Sequence, residues 1–192
     1  RRETRSGDVL SVFRRDFVWD MRKGLPFPMS KALAFNAMIG ELLWFINGDT
    51  DLGTLREYTG LPEDAWTIWS DDCKRWNSTA RRKGMDPTDL GKLYGHQWRR
   101  FGEDLANGFD GVDQLANLIY NMKNSPTSRY LIVQAYNPVD IFEEEVALPP
   151  CHTGFQVYVD IETGEFDLDW TQRSVDTFLG LPFNIGSYAA LM

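Results

Sequence analysis

The sequence predicts an α+β domain, a mixed β-sheet packed with helices, and three observations point there. Phe155, Val157 and Val159 alternate with Gln156, Tyr158 and Asp160, while Phe166, Leu168 and Trp170 alternate with Asp167, Asp169 and Thr171. Glu162-Thr163-Gly164-Glu165 between them has turn chemistry, so the pair reads as a hairpin with one apolar face. Val112, Leu115, Leu118, Ile119 and Met122 recur instead at helical spacing, which predicts an amphipathic helix over 112–123. The 192 residues are 43% hydrophobic and 14% aromatic, enough for a sizeable core in one domain spanning 1–192.

The remaining elements follow in order. Arg5-Ser6-Gly7-Asp8 is turn-like, and on residues alone Arg5 is a solvated terminal charge. Val9 to Asp20 is rich in β-formers and reads as a strand, its imperfect alternation leaving room for a bulge. Gly24, Pro26 and Pro28 make Met21 to Met29 a loop, and Ser30 is a fitting N-cap. Ala32 to Asn47 then reads as a long helix stopped by Gly48; being apolar nearly all round, it should be buried. Glu41 stands out within it, because a carboxylate there must be hydrogen-bonded or raised in pKa. Asp49 to Tyr58 reads as a short helix, Trp66-Thr67-Ile68-Trp69 as an aromatic stretch, and Asn77 to Asp89 as an exposed basic loop. In Leu90 to Arg99, Tyr94 reads as a core residue with its hydroxyl at the rim. Asn124-Ser125-Pro126 ends the 112–123 helix, Arg129 to Tyr136 reads as a buried strand, and Phe142 to Val146 as a solvated loop. After Pro182 the chain turns helical and reaches Met192 while still apolar, so the domain is expected to be cut short at both ends.

Composition narrows the class. A net charge of -8 argues against a general nucleic-acid surface, so DNA is not an expected partner. No apolar run approaches the length of a membrane span, and the start lacks a signal-peptide core. Two cysteines make no disulfide framework, which favours a reducing, cytoplasmic setting. Cys73, Cys151, His96 and His152 lack ligand spacing, so no metal is expected.

The chemistry gathers in two segments. Pro149-Pro150-Cys151-His152 places a thiol at the mouth of the first hairpin strand, after two residues that rigidify its approach. Gln172-Arg173-Ser174 and Asp176 end the second strand, and Asn184 follows a glycine-proline turn. Both segments are expected at the same end of the sheet. A cysteine reacts as its thiolate, which a nearby arginine favours, and Arg173 is the local candidate. His152 adjoins Cys151 but points to the opposite face of a strand, so it is a poor base for that thiol. Such a thiol and polar cluster suit attack on a polar heterocycle that carries a phosphate.

These residues resemble the thymidylate synthase family. The resemblance rests on Glu41-Leu42-Leu43-Trp44-Phe45 with Gly48-Asp49-Thr50, Ile68-Trp69, Asp89-Leu90-Gly91 with Tyr94-Gly95, Pro150-Cys151-His152, Gln172-Arg173-Ser174 with Asp176, and 178–185, and it covers almost the whole chain. It implies a sheet-mediated homodimer and reductive methylation of dUMP by methylenetetrahydrofolate, a co-substrate. Cys151 would attack ring carbon six, and Glu41, Tyr94 and Asp176 would complete the catalytic set. Arg5, Arg173, Ser174 and a second subunit's Arg129 would bind the phosphate, with Gln172 and Asn184 at the nucleotide. Ile68, Trp69, Leu148, Asp176, Leu179, Gly180 and Phe183 would contact the folate. The dUMP and dCMP hydroxymethylases look similar; the cytosine enzymes carry aspartate at the place of Asn184, which therefore argues for dUMP. A non-catalytic nucleotide- or RNA-binding homologue would have no need of Cys151, Glu41 and Asn184. The chain departs from the family at Tyr130, where a second arginine is usual, and at Ser70-Asp71-Asp72-Cys73, which lacks a second tryptophan before a long insertion-like stretch.

Overall fold

In the computed structural model, which describes residues 1–4, 7–27, 31–79 and 82–192, every strand ladder is antiparallel. Strands β1 (Arg2–Thr4) and β2 (Gly7–Val9) form a small hairpin. Strands β3 (Ile132–Gln134), β4 (His152–Val159) and β5 (Phe166–Gln172) form a three-stranded sheet in that order. The alternating pattern holds: Phe155 and Val157 are buried while Gln156 and Tyr158 are exposed. The α+β class is borne out.

Helices close one face of the sheet. They are α1 (Phe35–Ile46), α2 (Leu52–Thr59), α3 (Ser70–Asn77), α4 (Tyr94–Arg100), α5 (Gln114–Asn124), α6 (Pro138–Phe142) and α7 (Leu181–Leu191). Side-chain caps explain several starts. Asp51 accepts from the Thr54 amide, Asp113 from the Ala116 amide, and Asn137 from the Val139 amide. One core runs through Trp44 and Phe45, Cys73 and Trp76, Tyr94 and Trp98, Leu131 and Val133, Phe155 and Val157, and Tyr188. Helix α7 crosses α1 closely at Gly186, where an added Cβ would stand 2.3 Å from the Met38 sulfur.

Four expectations change. Residues 10–20 form no strand; Leu10, Phe13 and Val18 are almost wholly exposed, because no other described segment offers them a ladder. Helix α1 begins later than expected and leaves Phe35 and Leu43 open to solvent, so only part of its surface is buried. The expected cap Ser30 lies outside the described residues. Helices α3 and α6 were not foreseen, and α6 ends on Phe142, the first residue of the stretch read as a loop. Strand β3 is shorter than 129–136 and buried on one face only. Among the described residues, no helix is long and apolar enough to cross a membrane and no group of three or more His, Cys, Asp or Glu is placed to hold a metal.

Candidate active site

The hairpin brings Cys151 and the end of β5 together as expected. The register shifts between His152 and Gly154, a bulge that re-aims the chain beside the cysteine. The Cys151 carbonyl accepts from the Arg173 amide at 2.9 Å. The Arg173 guanidinium donates from Nε to the Pro150 carbonyl at 2.8 Å and from Nη2 to the Pro149 carbonyl at 2.7 Å. The same Nη2 stands 4.0 Å from the half-buried Cys151 Sγ. A fixed positive charge thus sits beside the candidate nucleophile.

Tyr94 opens α4, and its hydroxyl accepts from the Cys151 amide at 2.7 Å and the His152 amide at 3.3 Å. Burial keeps that phenol protonated well above its ordinary range. Glu41, on α1, accepts at 2.8 Å from the indole Nε1 of Trp69, the residue preceding α3. Burial pushes the Glu41 carboxyl up to about 7, against the opposing pull of that hydrogen bond. The residue is only half-buried overall, so the carboxyl sits in the wall of the site.

Asn184, on α7, accepts at 2.9 Å from Gln172 Nε2 and shares a hydrogen bond with His152. Burial holds His152 neutral, its pKa lowered to about 4. A small cavity, with free space on the scale of one water molecule, is lined by Glu41, His152, Asn184, Ser187 and Tyr188 among apolar side chains. Sequence reasoning weighed His152 only as a base for Cys151, and it did not single out Tyr188; both line this cavity. Strand alternation turns His152 inward, and Tyr188 lies four residues beyond Asn184, on the same helix face.

The other expected residues divide. Asp176 accepts from the amides of Phe178 and Leu179, fixing the turn that leads into α7. Leu179 and Ile68 are exposed, Gly180, Phe183 and Leu148 half-buried, and Ser174 exposed beside Arg173. Arg129 is not brought to the thiol. In the β3–β4 register it falls in line with Val159, at the far end of the strand that Cys151 precedes. Arg5 lies outside the described residues. In the stretch lacking a second tryptophan, α3 buries Asp72, which pairs with Arg75.

Fold and site together define an α+β protein with an arginine-backed cysteine at the end of an antiparallel sheet. The thymidylate synthase family model matches residues 1–192, and the chain belongs to that family. It is 45% identical over 192 residues to the probable thymidylate synthase of Escherichia phage T5, covering 99% of this chain and 64% of that protein. It is 40% identical over 186 residues to the thymidylate synthase of Enterobacteria phage T4, covering 96% of this chain and 59% of that one. The crystal structure of the T4 phage thymidylate synthase superposes with a TM-score of 0.75 at 42% identity, over 90% of this chain and 56% of its own. The chain therefore spans less than two thirds of the length of these relatives.

Proposed function

We propose that the protein methylates dUMP to dTMP with methylenetetrahydrofolate, through a covalent adduct on Cys151. The observation that carries this is the Cys151 thiol held 4.0 Å from Arg173, at the same sheet end as an Asn184 amide oriented by Gln172. The Cys151 sulfur adds to ring carbon six of uracil, and the electron pair moves to carbon five and the neighbouring carbonyl. Carbon five takes the one-carbon unit and loses its proton. Folate leaves and returns a hydride, and Cys151 is released as dTMP and dihydrofolate form. Covalent addition splits a hard alkylation into easier steps.

Each residue has a part. Asn184 matches uracil because its amide both donates and accepts, answering a carbonyl beside a ring N–H. Glu41 titrates near neutrality and serves proton exchange at the pyrimidine carbonyl. Tyr94 fixes the backbone of the nucleophile through the Cys151 and His152 amides. Arg173, with Ser174 and Arg5, receives the phosphate, to which arginine forks are suited. Trp69, Leu148, Leu179, Gly180 and Phe183, together with Ile68 and Asp176, form the folate side; exposed apolar Ile68 and Leu179 offer faces for a planar ring. The protein acts as a homodimer, joined through the outer sheet face that exposes Ile132 and Tyr158, with Arg129 serving the partner's phosphate site.

The test is mass spectrometry of the nucleotide after the full-length protein meets dUMP and methylenetetrahydrofolate, with Cys151→Ala as control. A methyl product with dihydrofolate, absent in the control, is expected. A hydroxymethyl product with tetrahydrofolate would move the assignment to a dUMP hydroxymethylase, and unchanged dUMP with intact binding to a non-catalytic homologue.

A further inference from the structure

The Tyr188 hydroxyl is buried and has no hydrogen-bond partner among the described residues, and the residue is only 4% exposed. Such a hydroxyl is costly unless something satisfies it. Its ring is fixed: it stacks on Trp170 at 4.9 Å and 9° and meets Phe155 edge-on at 5.9 Å and 68°. In a close-packed wall of this kind the hydroxyl cannot swing away to find a partner. Tyr188 and Glu41 line the same cavity, whose free space suits one water, and a water held between polar groups is a stable part of a fold.

We propose that Tyr188 is a positioning residue whose hydroxyl holds a water against the Glu41 carboxyl, so that the proton Glu41 exchanges with the pyrimidine travels through that water. This rests on the methylation reading above and adds to it the residue that fixes the relay. The groups facing Glu41 are Trp69 ahead of α3, Tyr94 and Trp98 from α4 with the Cys151 thiol beyond Tyr94, His152 from β4, and Asn184, Ser187 and Tyr188 from α7. Among the described residues, no lysine, arginine or second carboxylate lines the cavity. Burial keeps both tyrosines protonated and His152 neutral, leaving Glu41 as the group of the cavity wall that titrates near neutral pH.

A hydroxyl donating through water to a carboxylate favours the charged form, so removing it should raise the Glu41 midpoint. The experiment is Tyr188→Phe in the full-length protein, with glutamate carboxyls labelled with carbon-13 and Glu41→Gln used to assign the resonance. The expected result is an upward shift of about half a pH unit or more in the Glu41 titration. The limb of the pH–kcat profile set by Glu41 should move equally, with kcat about fivefold lower and KM for dUMP unchanged. A Glu41 midpoint within about 0.2 of the parent's would overturn the proposal, whatever turnover does. A shifted midpoint in a protein that makes no methyl product would sink the methylation reading while supporting the Tyr188–water–Glu41 link. A high-resolution crystal structure of the parent tests the link without any variant. A water within bonding distance of both Tyr188 Oη and Glu41 supports it, and a Tyr188 hydroxyl bonded elsewhere with no such water overturns it.

Discussion

At Glu41 and His152, burial pulls two titrations in opposite directions, and each leaves a mark on stability. The folded Glu41 binds its proton more tightly than a free carboxyl, with a pKa of about 7 against 4.5. Its contribution is therefore complete below the unfolded value and is lost as pH rises through 7. The folded His152 has a pKa of about 4 against 6.5, so its contribution is present above 6.5 and lost as pH falls through 4. Urea midpoints for the parent and Glu41→Gln should therefore diverge between pH 5 and 8, the parent losing about 1–3 kcal/mol relative to the variant. Parallel curves would mean that Glu41 stays charged throughout. Cys151, Arg173, Gln172 and Asn184 were legible because their chemistry sits in short windows at the ends of readable strands and turns. The Trp69–Glu41 bond joins positions 28 apart in sequence, and nothing local announces it. The unpartnered state of the Tyr188 hydroxyl is a property of three-dimensional packing and has no sequence signal.

At the scale of elements, periodicity was informative wherever both faces of an element had settled partners. The β4–β5 hairpin and α5 fall close to their expected places because apolar and polar sides are cleanly separated. Helix α3 had its own signal, since Trp69, Cys73 and Trp76 recur at helical spacing and all three are buried; the polar residues around them hid it. Residues 10–20 failed in the opposite sense, because β-forming side chains specify a strand only when a neighbouring ladder receives them. The α1–α7 crossing tests packing directly. Gly186→Ala places a Cβ 2.3 Å from the Met38 sulfur, and this overpacking should cost about 1–3 kcal/mol in thermal unfolding. Met38→Ala in the same chain should recover part of that loss, because the methionine is the group displaced. Full additivity of the two changes would show that the helices do not meet there.

For the whole molecule, the β3–β4 register carries the largest consequence. Arg129 and Cys151 stand at opposite ends of the sheet, so one protomer cannot bring both to one phosphate. The proposed homodimer resolves this by exchange: each copy lends an arginine to the other's thiol. Cys151→Ala and Arg129→Ala, each inactive alone, should regain activity when mixed and allowed to exchange subunits. Random pairing leaves one intact site in half of the dimers, so recovery should approach about a quarter of parent activity. No recovery, with exchange confirmed by native mass spectrometry, would place the phosphate site within one protomer.

Arg173 binds the carbonyls of Pro149 and Pro150 while standing beside the thiol, so it is a latch on the cysteine's own approach as well as a receptor for an anion. An arriving phosphate draws on the same guanidinium that organises residues 149–151. Occupancy of the anion site is therefore written into the reactivity of one sulfur, and the alkylation rate of Cys151 by a neutral reagent becomes a built-in reporter of nucleotide binding that needs no turnover at all.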